Sequence, residues 1–261
     1  MRTTKKTIAF IRFTSIIHRT DKLIEACHKG IEHDLKIQEG IINKLNIKGL
    51  PGKKPKNHET VFKVSKRHPD GTFSLSMDER SAFLVKKTMT DSKKLTEELN
   101  NHFYSIMLAY TWASFETFLI MLFEELYTKK PEMLKINTLV TYKEVLENEK
   151  QILNYLIQKE LETIGHFSVE KYIEYLDKKI NLILPEKNKV RLRQLYALRN
   201  IIAHNTGIVN NRTRKEISLD VRIKNNEVLI SKTYLLKESA FIKTIVQTIE
   251  RHIHKKFKNS L

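Results

Sequence analysis

The sequence predicts a mainly α-helical fold, a helical bundle that carries one or two small β-hairpins. Glycine occurs only seven times and proline five times in 261 residues, and both residues disfavour the interior of a helix. Apolar residues recur every three or four positions over several long segments, which is the spacing of one helical face. A chain of this length can bury a substantial core as one large domain or two small ones, so neither a disulfide nor a metal is needed for folding.

The first ninety residues are expected to form an N-terminal helical region with a basic loop and a hairpin. Helical spacing between Thr7 and Leu45 predicts one long helix or two joined helices. Residues 46–60 hold two glycines, two prolines and four lysines, a composition typical of a solvated loop in which Lys53 and Lys54 are candidate contacts to nucleic acid. Short β-like runs around His68-Pro69-Asp70-Gly71 predict a hairpin.

Residues 91–261 are expected to form a second helical domain. Its central element is predicted to be a helix that begins at the candidate N-cap Asp91 and ends near Tyr127. The central asparagines of Lys224-Asn225-Asn226-Glu227 predict a second hairpin. Further helices are predicted at Thr141–Glu162, Ser168–Ile180 with Ser168 as cap, Pro185–Asn205 with Gly207 as stop, and Ser239–Lys256.

The charge balance points to a polyanionic partner. Lys and Arg number 47 against 30 Asp and Glu, a formal net charge of +17, which suits RNA, DNA or an anionic lipid surface. The single cysteine, Cys27, excludes an internal disulfide, and the longest apolar run, Phe118–Phe123, is too short to cross a bilayer. We therefore expect a cytoplasmic protein that binds nucleic acid and no membrane.

We expect chemistry at the end of the helix predicted at Pro185–Asn205. Arg199, Asn200 and His204 interrupt its apolar pattern there; an imidazole can take and give a proton near neutral pH, and a guanidinium offers a planar fork of donors to a phosphate. Between Lys187 and Lys215 there are eight Lys or Arg and no Asp or Glu. The candidate nucleic-acid contacts in this basic segment are Arg191, Arg193, Arg212, Arg214 and Lys215.

On a straight helix, Arg199, Asn200 and His204 do not all lie on one face. Asn200 and His204 are four residues apart and share a face, whereas Arg199 and His204 are separated by about 140 degrees on a straight helix. Either Arg199 reaches around with its long side chain, or the helix loosens near Ala203, or a second copy of the chain supplies one of the two groups.

These residues resemble a known family. Arg199-Asn200 followed by His204 is similar to the Arg-x4–6-His signature of HEPN domains, in which a polar residue commonly follows the arginine. The segment Tyr110–Leu119 is similar to the upstream helix of several bacterial HEPN groups, and a β-hairpin followed by a closing helix is also familiar there. The resemblance covers roughly Asp91–Leu261.

The resemblance implies a helical bundle that forms a homodimer with the two motifs facing each other. It also implies a metal-independent endoribonuclease of toxin–antitoxin or phage-defence systems, with an antitoxin or another defence protein as partner. Arg199 would bind the scissile phosphate, His204 would transfer protons and Asn200 would orient the motif by hydrogen bonds. The reaction is attack by the 2′-hydroxyl on its own phosphate, which DNA cannot undergo. No cofactor or metal is expected, because the sequence lacks a phosphate-binding glycine loop and a zinc ligand set.

Two other interpretations stay open. Some HEPN domains are inactive scaffolds, so the chain could be a non-catalytic module that binds RNA, DNA or a partner protein, with Arg199 paired to a carboxylate and His204 at the helix C-terminus. A toxin or modifying enzyme that needs a separate partner enzyme is the third interpretation. Glu116, on the predicted central helix, is a candidate orienting partner for Arg199, the alternative being an exposed position.

Overall fold

The computed structural model describes residues 6–44, 62–67, 69, 73–77, 79–134, 140–218 and 220–257. It confirms the predicted mainly α-helical fold with small hairpins, whereas the candidate contacts Lys53 and Lys54 lie outside the described residues. The helices are α1 (Ile8–Lys44), α2 (Glu79–Lys129), α3 (Tyr142–Glu147), α4 (Ile152–Gly165), α5 (Val169–Ile180), α6 (Glu186–His204) and α7 (Lys232–Lys256). The strands are β1 (Phe62–Arg67), β2 (Phe73–Met77), β3 (Arg222–Lys224) and β4 (Glu227–Leu229).

Both hairpins form where turn residues predict them. Strands β1 and β2 pair antiparallel, and β3 pairs with β4 around Asn225 and Asn226. These two asparagines have φ values of 52° and 62°, as a two-residue hairpin turn requires. The second hairpin also holds the chain that leaves α6, because Val209 N–H donates to the Asn226 carbonyl (2.7 Å) and Val228 N–H to the Gly207 carbonyl (3.0 Å).

Several helix ends differ from the predicted ones. Asp91 lies inside α2, and α7 begins at Lys232 because the Ser231 hydroxyl accepts the Tyr234 N–H at 3.1 Å; Ser239 is buried within that helix. The helix predicted at Thr141–Glu162 is divided into α3 and α4 by a 3₁₀ turn at Glu149–Gln151. The predicted cap Ser168 and the stop at Gly207, with φ of 84°, are where the sequence places them.

The chain divides into two compact units, Met1–Ile24 with His102–Leu261, and Glu25–Asn101. The boundary that the sequence predicts between residues 90 and 91 falls within helix α2 and stays a prediction. The start of α1 belongs to the unit that carries Arg199 and His204, because Phe13 and Ile17 are buried in its core and the Phe13 ring packs against Phe118 at 5.6 Å.

The orientation of α6 follows from its buried stripe. Leu192, Leu195, Leu198 and Ile201 recur at intervals of three and are all buried, which turns the opposite side of the helix away from the core. The core that receives this stripe is built from the apolar faces of α2 and α7. Its most deeply buried members include Phe115, Phe118, Leu119, Leu122, Ile245, Val246, Ile249 and Ile253.

Helix α2 contains a segment that is long and apolar enough to be compared with a membrane-spanning helix. Within the described residues, its segment Phe83–Lys129 is the one stretch long and apolar enough to cross a membrane, and 56% of its most apolar window is buried inside the fold. A central core helix passes the same test as a membrane span, because both are apolar over much of their length. The cytoplasmic location and the absence of a membrane partner stay predictions.

A buried carboxylate joins the start of α1 to α7. Glu250 accepts the Thr7 backbone N–H (2.8 Å) on one oxygen and the Thr7 hydroxyl (2.7 Å) on the other. His254 Nε2 lies 3.0 Å from the first of these oxygens. The carboxylate thus caps the N-terminus of α1, where negative charge is favoured by the helix dipole.

Replacement of Thr7 by Val tests this contact. The variant keeps the shape of the side chain but deprives buried Glu250 of one donor and removes the hydroxyl that accepts the Phe10 N–H at 3.1 Å. The free energy of unfolding should therefore fall by about 1–3 kcal/mol, as urea denaturation measures. The matched control is Thr117→Val on the exposed side of α2, whose hydroxyl bonds the Ala113 carbonyl of its own helix; it should be near neutral. Equal effects of the two variants would contradict the role of the Thr7 hydroxyl.

Candidate functional site

An open cleft of about 720 Å³ lies along the outward side of α6. Arg193, Ala197, Asn200 and His204 line it, and their spacing of four, three and four residues places them on one helical face. This is the side that the buried stripe turns away from the core. The other lining residues include Val169 and Glu170 at the start of α5, Gln194, Tyr196, Arg199 and Ile201 on α6, and Thr213, Lys215 and Glu216 in the turn that follows.

Arg199 lies at the edge of this cleft and is held by two contacts. One terminal nitrogen donates to the Asn200 side-chain oxygen (2.9 Å), and the other donates to Glu116 Oε2 (3.3 Å). Both side chains of the ion pair are partly buried, with exposed fractions of 25% for Arg199 and 19% for Glu116. Glu116 therefore faces Arg199 as the sequence suggests, although a purely structural ion pair would make the same contact.

The Glu116 carboxylate has a second donor that the sequence did not single out. The indole N–H of Trp112, one turn earlier on α2, donates to Glu116 Oε1 at 2.8 Å. The Trp112 ring packs in turn against Tyr196 of α6, with ring centroids 5.6 Å apart. The sequence could have indicated the pair of Trp112 and Glu116, because residues four positions apart on one helix lie close together.

His204 is the last residue of α6 and is exposed. The helix is regular through Ala203, and Asn205 N–H donates to the Ile201 carbonyl at 3.0 Å, so the helix does not loosen between Arg199 and His204. Within the part of the chain that the structure describes, the imidazole makes no hydrogen bond or ion pair. Arg199 and His204 line the same cleft from different sides of α6. Two explanations stay open: Arg199 reaches around the helix with its long side chain, or a second copy of the chain supplies one of the two groups.

Arg191, a predicted nucleic-acid contact, is bound to side chains within the protein, and its role towards nucleic acid stays a prediction. Its guanidinium donates two hydrogen bonds of 2.9 Å to the Glu238 carboxylate and one of 3.4 Å to the Lys237 carbonyl. It also lies 4.2 Å from the centre of the Phe241 ring. Glu238 is almost fully buried. Arg191 is a structural partner of this carboxylate and does not line the cleft.

The remaining basic candidates are more accessible. Arg193 lines the cleft and pairs with Glu186 (3.0 Å) and Glu170 (3.7 Å). Arg212 is 91% exposed, with Glu216 at 3.9 Å. Arg214 and Lys215 are exposed in a short 3₁₀ turn that Asn210 fixes by accepting the backbone N–H groups of residues 212 and 213. The basic segment therefore lies close to the acidic side chains of Glu170, Glu186 and Glu216 in the folded chain.

Among the described residues, no group of three or more His, Cys, Asp and Glu is placed to hold a metal ion.

Burial raises the pKa of Tyr172, and the negative charge of nearby Glu116 raises it further, whereas Arg199 lowers it. Tyr172 is on α5, one turn after the cleft residue Val169, and sequence reasoning did not identify it.

Substitution distinguishes Arg191, which pairs with a buried carboxylate, from Arg214, which is exposed. Arg191→Ala leaves the buried Glu238 carboxylate without its partner, so the free energy of unfolding should fall by about 3–5 kcal/mol. Arg214→Ala removes an exposed charge and should change it by less than about 0.5 kcal/mol. Thermal or urea denaturation of the two variants gives the comparison. A stable Arg191→Ala protein would show that Glu238 does not depend on this ion pair.

Comparisons with protein-family models, curated proteins and solved structures give no match to this chain. The resemblance to HEPN domains therefore rests on the residues quoted from the sequence.

Proposed function

We propose that the protein is a metal-independent endoribonuclease of the HEPN type that acts as a homodimer. The observation that carries the proposal is one cleft lined together by Arg199, Asn200 and His204, with Arg193 and Lys215 beside them. A cation that can bind a phosphate and a histidine that can transfer a proton are the two components that RNA cleavage by its own 2′-hydroxyl needs. A toxin or phage-defence effector, controlled by an antitoxin or another defence protein, is the corresponding biological role.

In this mechanism the phosphate enters the cleft at Arg199. The guanidinium offsets the charge that develops on the phosphoryl oxygens, and Asn200 keeps it oriented through the 2.9 Å hydrogen bond. A base removes the 2′-hydroxyl proton, the 2′-oxygen forms a bond to phosphorus, and the bond to the 5′-oxygen breaks. An acid then protonates the 5′-oxygen, which leaves a cyclic phosphate and a free 5′-hydroxyl.

The reaction requires both a base and an acid, and among the described residues His204 is the one histidine that lines the cleft. Because its imidazole is exposed, it can face a second copy of the same segment across a two-fold axis. Two histidines, one from each chain, would then act as base and acid. The same arrangement brings the arginine of one chain to the histidine of the other, although the two residues are not on one face of α6.

The central experiment uses purified protein in EDTA with an RNA and a DNA of the same sequence. Wild type should cleave only the RNA, and Arg199→Ala and His204→Ala should each lower the rate by about 100-fold or more. Arg12→Ala and His33→Ala, which change exposed residues of α1, are the matched controls. Equal cleavage by wild type and both site variants, cleavage of DNA, or a strict metal requirement would contradict the mechanism.

A mixing experiment tests the composite site. When wild-type and His204→Ala chains are co-expressed in equal amounts, half of the dimers are mixed and hold one of the two histidines that the reaction needs. Activity should therefore fall to about one quarter of wild type, the share of dimers in which both chains are wild type. If each chain forms a complete site by itself, activity falls only to about one half.

The second candidate is a non-catalytic module that binds RNA, DNA or a partner protein. The observation that favours it is the pairing of Arg199 with Glu116 and Asn200, which commits both terminal nitrogens of the guanidinium within the protein. Binding would then depend on exposed cations such as Arg212, Arg214 and Lys215, and would weaken strongly with salt. Salt-sensitive binding of RNA without cleavage in the experiment above would favour this candidate.

A further inference from the structure

A second cavity lies between the start of α1 and the C-terminal half of α7, and we call it the α1–α7 cavity. It has a volume of about 460 Å³. The residues that line it are Lys6, Phe10, Gln247, Glu250, Arg251 and His254. The four from α7 recur at intervals of three or four, which places them on one face of that helix. None of the six is among the described residues that line the cleft along α6.

The carboxylate in this cavity, that of Glu250, is already bound within the protein. Its two oxygens accept the backbone N–H and the hydroxyl of Thr7 at 2.8 and 2.7 Å, and the residue is 4% exposed. The first oxygen also lies 3.0 Å from His254 Nε2, which orients the imidazole. In the described part of the chain it forms no ion pair with Lys6 or Arg251, so its charge serves α1 and His254.

Arg251 and Lys6 bring two positive charges to the cavity without an acidic partner among the described residues. Arg251 is exposed, and its guanidinium donates along its own helix, to the Gln247 carbonyl (3.2 Å) and the Thr248 hydroxyl (3.3 Å). Lys6 is also exposed, and its ammonium lies 5.2 Å from the centre of the Phe10 ring. Both cations are therefore available to an anion that enters the cavity.

The availability of Arg251 distinguishes this cavity from the cleft along α6, where Arg193 and Arg199 each pair with a glutamate. A guanidinium without a carboxylate partner suits a group with several anionic oxygens, because its planar fork donates to two of them at once. His254 adds a third group that can carry positive charge. A phosphate supplies the charge and the oxygens that this arrangement fits, whereas chloride offers a single atom.

We propose that the α1–α7 cavity is a phosphate-binding site, in which Arg251 and Lys6 hold the phosphoryl oxygens beside the imidazole of His254. The inference does not depend on the proposed nuclease, because Arg199 and His204 take no part in this site. The phosphate can belong to a free small molecule or to the backbone of a nucleic acid, since both offer the same anionic oxygens. Its binding should stabilise the folded chain.

Histidine NMR separates this site from the cleft, because His254 lines the α1–α7 cavity and His204 lines the cleft. The full-length wild-type protein, with isotope-labelled histidine, is titrated with inorganic phosphate at constant pH and ionic strength, with chloride as the reference. Spectra of His254→Gln and His204→Ala assign the two ring signals. The His254 signal should shift with phosphate and reach saturation, whether or not the His204 signal moves.

Substitution of the two cations tests their roles. Arg251→Gln should lower the phosphate affinity read from the His254 signal about tenfold or more, as expected for loss of hydrogen bonds to a charged group. Lys6→Gln should lower it less, because an exposed ammonium is a flexible point charge. Neither variant should alter urea stability without phosphate. Arg12→Gln, which removes an exposed charge of α1 outside the cavity, is the matched control and should bind like wild type.

Titrations with a nucleoside monophosphate and with a short RNA identify the source of the phosphate, and the RNA arm uses His204→Ala in EDTA so that the RNA stays intact. RNA that binds more tightly than free phosphate, and is weakened by Arg251→Gln, would assign the site to nucleic acid. Tighter binding of the monophosphate would assign it to a small ligand. Either result supports a phosphate site.

Two outcomes would overturn the proposal: a His254 signal that does not respond to phosphate, or equal affinities of Arg251→Gln and Arg12→Gln. The test is separate from that of the nuclease. A response of His254 with the expected variant pattern but without RNA cleavage would support this site and contradict the nuclease. RNA cleavage by wild type with an unresponsive His254 would do the reverse.

Discussion

Burial of the apolar stripe of α6 is the constraint on which the cleft depends. Leu192, Leu195, Leu198 and Ile201 pack into the core formed with α2 and α7, and this fixes the rotation of the helix about its axis. Asn200 and His204 are then exposed to the cleft, and Arg199 is placed at its edge beside α2. A slip of one residue in this packing would turn the polar group by about 100 degrees and bury part of it.

The second determinant of the site is the contact between α2 and α6 at Glu116. One carboxylate receives Trp112 from its own helix and Arg199 from α6, while Tyr196 of α6 packs on the Trp112 ring. The ion pair, a single contact of 3.3 Å, keeps the guanidinium at the cleft.

The helices and hairpins were predictable because each has a local cause in spacing or turn chemistry. The last helix shows the limit of that reasoning: the sequence predicts its start at Ser239, but Ser231 caps it and Ser239 is buried within it. Long-range pairs were harder to predict. Arg191 resembles Arg193 in the sequence, but its guanidinium binds the buried carboxylate of Glu238, 47 positions along the chain, and no local spacing indicates such a pair.

The central claim is that the cleft cleaves RNA through the 2′-hydroxyl next to the broken bond, without a metal. The most direct measurement uses a single-stranded DNA that contains one ribonucleotide, incubated with the protein in EDTA, followed by identification of the product ends. The account predicts one cut, directly after the ribonucleotide, with a cyclic phosphate on one product and a 5′-hydroxyl on the other. Cuts at deoxyribonucleotides, or products with 3′-hydroxyl and 5′-phosphate ends, would contradict it.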